Sequence, residues 1–179
     1  MSSLYAITPT SVLNWLTAFC IFEIPLAFFY LSISKPGDYV IKWYSGKSIS
    51  IWNVIAQDLL YGFCGVIIAA FLFSYLVSKK ILKSSYLLFI FVLIAIQWLG
   101  DLSFASTMIN WPKKYDTKWT KFFKGYIKNS GFNALIGDTI WIVSWALAYY
   151  FVVHYIQRFD VKIFIICLFF FLLSAYSVI

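Results

Sequence analysis

The chain has 179 residues, of which 63% are hydrophobic, 22% aromatic and only 12% charged, with a mean hydropathy of +0.85. Soluble domains carry about 25% charged residues, so this composition excludes a water-soluble enzyme and a soluble body with a membrane tail. It leaves one membrane-embedded unit spanning residues 1–179. The net charge of +7 comes from 14 Lys+Arg against 7 Asp+Glu, and its meaning depends on where those charges sit.

Crossing a hydrocarbon core takes about 20 apolar residues, and five runs of that kind occur, at residues 10–33, 51–77, 85–109, 131–156 and 161–179. Strand-type alternation is absent, so the expected fold is an all-α integral membrane protein, a bundle of five transmembrane helices with its termini on opposite sides. The first run has no basic flank and is longer than the core of a signal peptide, so it is read as a retained helix. It contains Glu23, and Pro25 two residues later cannot donate to the carbonyl of Ile21, which predicts a kink beside the carboxylate. The second run holds Asp58 after Gln57, with Asn53 one turn earlier and Gly62, Gly65 and Ala69 as a small-residue contact face. The third holds Asp101, preceded by Gly100 and, one turn back, by Gln97.

Between the third and fourth runs, residues 113–128 place Tyr115, Trp119, Phe122, Phe123 and Tyr126 at the spacing of one helical face. Lys113, Lys114, Lys118, Lys121, Lys124 and Lys128 take the other face. This predicts an interfacial amphipathic helix whose aromatic face enters the headgroup boundary of the bilayer. Its lysines meet anionic lipid, each contributing about 1 kcal/mol near the surface. The basic face is short and fully accounted for by a membrane surface, so no nucleic-acid partner is expected.

The fourth run holds Asp138 after Gly137, with Asn133 one turn earlier and Ser144 and Ala148 as small contact residues. Trp141 and Trp145 lie one and two turns beyond Asp138 and read as packing. Only four residues, 157–160, separate the fourth run from the fifth, which either crosses or lies against the bundle.

Basic residues choose the orientation. Lys79, Lys80, Lys83, Arg158 and Lys162 fall on the side of the amino terminus, and Lys35, Lys42, Lys47 and the six lysines of residues 113–128 on the other. The second set is larger, which places it in the cytoplasm and the amino terminus outside. Every lysine sits in a loop or at a span edge, so there is no mid-membrane amine for a retinal Schiff base. Cys20, Cys64 and Cys167 are dispersed in apolar runs and read as buried, inert thiols, and the single histidine, His154, excludes histidine-rich metal chemistry.

Glu23, Asp58, Asp101 and Asp138 remain, inside four spans of alternating direction. Measured from the lysine-rich side they lie 10, 7, 8 and 7 residues deep, a common level roughly 10 to 15 Å down at 1.5 Å per residue. Each Asp at a helix centre costs about 2.5 to 3.5 kcal/mol to insert. Interhelical hydrogen bonds return only about 0.6 kcal/mol apiece. A cluster so costly points to a site whose negative charge is offset by bound protons or a cation. The expected function is handling of protons or a hard metal cation, as a channel or transporter, with Glu23, Asp58, Asp101, Asp138, Gln57 and Gln97 as binding groups. No cofactor beyond a bound cation is implied, and a pore would call for a homo-oligomer. The alternatives are an enzyme or receptor for a lipophilic or amine ligand, and a structural subunit of a membrane assembly, viral ones included. An enzyme is the lesser expectation, since no nucleophile with an adjacent base, phosphate-cradling loop or metal triad is found.

Overall fold

A computed structural model describes residues 4–35, 38–45 and 49–177. These form seven α-helices: α1 (Pro9–Ile33), α2 (Tyr39–Tyr44), α3 (Ile51–Ser78), α4 (Tyr86–Asn110), α5 (Lys118–Ser130), α6 (Phe132–Tyr155) and α7 (Phe159–Tyr176). A 3-10 turn at Lys113–Tyr115 precedes α5. Five of the helices, α1, α3, α4, α6 and α7, are long and apolar enough to cross a membrane. Lys47 and the last two residues of the fifth expected span lie outside the described residues.

Local signals set several helix ends. Thr8 caps α1 through its side chain, which accepts from the Ser11 amide at 3.1 Å, while the Ser11 hydroxyl accepts from the Thr8 amide at 2.7 Å. Pro9 follows at the position where a missing N–H costs nothing. After α3, Lys80 takes a φ of 59°, a left-handed geometry more usual for glycine, and the chain turns so that the Ile81 amide bonds the Leu76 carbonyl at 2.9 Å. α1 continues as α-helix through Pro25 to Ile33.

Side-chain pairings show how the long helices run. Trp15 stacks on Tyr149 with ring centres 4.0 Å apart, Glu23 meets Trp141, and the Tyr30 hydroxyl donates to the Gly137 carbonyl at 2.8 Å, so α1 and α6 are antiparallel. Phe73 pairs with Phe89 and Tyr61 with Asp101, so α3 and α4 are antiparallel. Tyr86 donates to the Ala146 carbonyl and Trp98 to Thr139, which sets α4 against α6 in the same sense. α7 runs parallel to α1, with Lys162 beside Asn14 and Phe169 beside Phe19. It therefore extends along the bundle instead of lying across its end.

One end gathers the amino-terminal segment, the α3–α4 turn and the α6–α7 link, with the Tyr5 hydroxyl on Ser84. The other end gathers α2 and α5. Between them lies a layer of fully enclosed large side chains, among them Phe19, Phe73, Phe89, Leu93, Ile142 and Trp145. The Trp145 indole is tied by its N–H to the Trp15 carbonyl at 2.8 Å. Gly62 makes this packing possible, because a Cβ there would run into the Trp145 ring and come within 2.6 Å of Trp141. Outward faces are apolar, with Phe71, Phe171 and Phe28 each about 70% exposed.

Two expectations are corrected at this level, and a third side chain, at the edge of its span as expected, is enclosed. Gly65 has open space where a Cβ would stand, so of the two glycines on α3 only Gly62 mediates a close approach. Cys20 is buried, whereas Cys64 and Cys167 are exposed, because they fall on the outward sides of α3 and α7. Lys162 is buried in the first turn of α7, at 5% exposure, where its ammonium donates to Asn14 Oδ1 at 2.6 Å.

Candidate functional site

The alternating directions of α3, α4 and α6 bring Asp58, Asp101 and Asp138 to the end where α2 and α5 lie. All three line one cavity of about 920 Å³. Asp58 accepts from the Trp43 indole N–H of α2 at 3.2 Å. Asp101 accepts from the Tyr61 hydroxyl across the α3–α4 contact at 2.6 Å, and from Gln97 one turn back at 2.9 and 3.0 Å. Asp138 lines the same cavity and accepts no hydrogen bond from the described residues.

Glu23 is placed differently. At 1% exposure it sits behind the cavity wall, with Oε1 accepting from the Tyr44 hydroxyl at 3.1 Å and Oε2 from the Trp141 indole at 2.9 Å. Tyr44 and Trp141 line the cavity, so they stand between Glu23 and its interior. Of the two glutamines, Gln97 holds Asp101, while the Gln57 carbonyl oxygen accepts the Trp119 indole N–H at 2.8 Å. Gln57 thus anchors the helix above it and is not drawn to Asp58.

The roof is built from α2 and α5. The Thr117 side chain accepts from the Thr120 amide, and the Thr120 hydroxyl from the Thr117 amide, so α5 starts at Lys118 under its own capping box. This corrects the expected helix over residues 113–128. Lys113, Lys114 and Tyr115 belong to the separate 3-10 turn, and Tyr115 is exposed. The aromatic face is also redirected. Phe122 stacks on Trp43 of α2 at 5.5 Å, and Phe123 and Trp119 pack edge-on against Phe104 of α4 at 5.0 and 5.7 Å. The face expected to enter lipid therefore covers the cavity, because α2 offers a matching aromatic surface in Tyr39 and Trp43. Gly125 admits the Tyr39 hydroxyl, which a Cβ would exclude.

Lys113, Lys114, Lys118, Lys121 and Lys128 are exposed on the outer side of this roof. Lys124 is instead held by Asp116 at 2.7 Å and by the Trp111 carbonyl at 2.8 Å. Lys42 lies at the cavity margin with its ammonium 4.2 Å from the centre of the Tyr39 ring. None of the ion pairs among the described residues reaches Glu23, Asp58, Asp101 or Asp138.

The roof tyrosines register the acids beneath them. Burial foremost, and then the carboxyls of Asp138, Asp101 and Asp58, push the Tyr126 phenol well above its ordinary value. Burial foremost, with Glu23 and Asp58 next, does the same to Tyr44. Among the described residues no three His, Cys, Asp or Glu side chains are grouped so as to hold a metal ion. The aspartates share a cavity without converging on one point.

Sequence reasoning missed Tyr30, Trp43, Tyr44 and Tyr61 as site residues. α2 is too short for a periodic pattern, yet Tyr39 and Trp43 already stand one turn apart on one helical face, a signal matching the aromatic side of α5. No family model, curated protein or solved structure matches this chain.

Proposed function

We propose that the chain is an integral membrane protein that binds and carries a cation through the cavity between its long helices and the α2–α5 roof. The observation that supports this most directly is the meeting of Asp58, Asp101 and Asp138, from three helices, around one cavity with no basic side chain among the described residues paired to them. In a low-dielectric surround such carboxylates are offset by protons or by a bound cation. The outward apolar surface suits lipid contact, and the exposed lysines of the roof suit an anionic headgroup layer. The excess of lysine at that end favours placing the roof on the cytoplasmic side.

The form of the cavity favours a carrier or receptor over an open channel. On its inner side the lining includes Trp141, whose ring packs on the buried rings of Trp145 and Phe19. Passage through that packing requires helix movement. Glu23 takes a structural part in this reading, cross-linking α1, α2 and α6 through Tyr44 and Trp141.

The test is cation uptake into liposomes carrying the purified protein, for protons, Na⁺ and an organic ammonium in turn. Parent protein is expected to give saturable uptake of at least one of them. The triple variant Asp58→Asn, Asp101→Asn, Asp138→Asn is expected to lose it while keeping its helical circular dichroism. Equal flux by parent and variant would remove the carboxylates from the mechanism.

A further inference from the structure

We propose that the cavity takes an organic ammonium with an apolar body, bound with its charged head at Asp138. The inference rests on the cation-binding reading above and names its ligand class.

Size is the first argument. A cavity of about 920 Å³ falls within the roughly 300 to 1,000 Å³ of pockets that enclose small organic molecules. A dehydrated metal ion needs several oxygens within about 2.0 to 2.6 Å of one centre. The described residues contain no three acidic, histidine or cysteine side chains grouped in that way. An ammonium group makes a weaker demand, namely one carboxylate and the faces of nearby rings.

Both are present. Trp43, Tyr44, Trp119, Phe122, Tyr126 and Trp141 all line the cavity, and ring faces attract cations most strongly where water is excluded. Asp58 and Asp101 are already engaged by Trp43, Tyr61 and Gln97. Asp138 keeps its full accepting capacity, and the Gly137 carbonyl beside it is taken by Tyr30. The charged head is therefore assigned to Asp138, with the other two aspartates contributing field at longer range.

The apolar body follows from where the cavity ends. Its wall includes Leu60 of α3 and Leu102 of α4, which are 66% and 58% exposed on the outer surface of the bundle. The cavity thus extends from Asp138 to the apolar perimeter between those two helices. A molecule with a charged head and an aliphatic or aromatic tail fits such a gradient, and an inorganic ion does not use it.

The test is a titration of the full chain in detergent micelles with 4-phenylbutylammonium, its neutral analogue 4-phenylbutan-1-ol, Na⁺ and Ca²⁺, read by calorimetry and tryptophan fluorescence. Saturable binding of the amine is expected, with the alcohol about tenfold weaker, as expected for loss of one charge-assisted contact. Asp138→Asn is expected to bring the amine down to the level of the alcohol, and comparison with parent protein in the same micelles removes simple partitioning. Should that variant fail to fold, Trp119→Leu gives the second reading and is expected to weaken the amine more than the alcohol. Equal binding of amine and alcohol to parent protein overturns the inference, as does amine binding insensitive to Asp138→Asn in a folded variant. Binding of Na⁺ or Ca²⁺ that depends on Asp138, with none of the amine, overturns the ligand class and leaves the cation-binding reading standing. Absence of any Asp138-dependent cation binding removes both.

Discussion

Trp119 of α5 donates its indole N–H to the side-chain oxygen of Gln57 on α3 at 2.8 Å, a link between residues 62 positions apart. With the Lys124 ammonium on the Trp111 carbonyl at the end of α4, it fastens the roof helix to the bundle. Around it the contacts are ring on ring, which are strong in area but tolerant of sliding.

Replacing Trp119 by Phe keeps a ring and removes the donor, leaving the Gln57 oxygen without its partner. A loss of about 1 kcal/mol in the closure of α5 is expected. Since Lys118 and Lys121 are exposed beside it, faster trypsin cleavage at these two lysines checks the outcome, with the circular dichroism of the long helices unchanged. Cleavage at the parent rate would show that the roof holds without this bond.

Thr117→Ala tests the same helix from its end. It removes the side-chain oxygen that accepts from the Thr120 amide, and caps of this kind are worth about 1 kcal/mol. Amide hydrogen exchange in the first turn of α5 is expected to quicken, while exchange in α6 stays as it was.

Gly62 and Gly65 form an internal control one turn apart on α3. Gly62→Ala drives a methyl group into Trp145 and Trp141, and Gly65→Ala meets open space. Overpacking of that kind costs about 1 to 3 kcal/mol, so thermal unfolding in micelles should fall clearly for the first. The second should be neutral or slightly stabilising, because alanine favours helix over glycine by about 1 kcal/mol.

Tyr126 supplies a dependence on alkaline pH. Its folded-state phenol is raised by burial and by the facing aspartates, whereas in the unfolded chain it ionises near about pH 10. The folded protein then keeps a proton that the unfolded chain releases. Stability from this source is complete below about pH 10 and is lost as pH climbs towards the folded-state value. Denaturation midpoints measured upwards from about pH 9 should drop less steeply for Tyr126→Phe than for the parent. Parallel slopes would show that the phenol is not enclosed in the folded protein.

Much of this arrangement is legible in the amino-acid order, and the exceptions have physical reasons. The apolar runs at residues 51–77 and 131–156 match α3 and α6 to within about one residue at each end, since hydrophobic length is a property of the segment itself. The common depth of Asp58, Asp101 and Asp138 is likewise a matter of counting along alternating helices. Rotation about each helix axis is not, because it is chosen by the neighbour. Glu23 shares the depth of the aspartates but turns to Tyr44 and Trp141, and nothing in its own segment announces those partners. Trp119, Phe122 and Phe123 pose a related problem. An aromatic stripe opposite lysines suits a lipid boundary and a protein surface equally well, and the choice was made by Trp43 and Phe104, on two other helices.

The bond between Asn14 and Lys162 has a bearing on assembly order. Its two halves are separated by 148 positions, and α7 is synthesised after every other helix of the bundle. Until it docks, the Asn14 amide on α1 has no ammonium to receive, and the Lys162 ammonium on α7 lacks the amide oxygen that accepts from it in the folded chain. The lock between α1 and α7 therefore closes only after the other four long helices have been made, and the pair marks a bundle in which the fifth has docked.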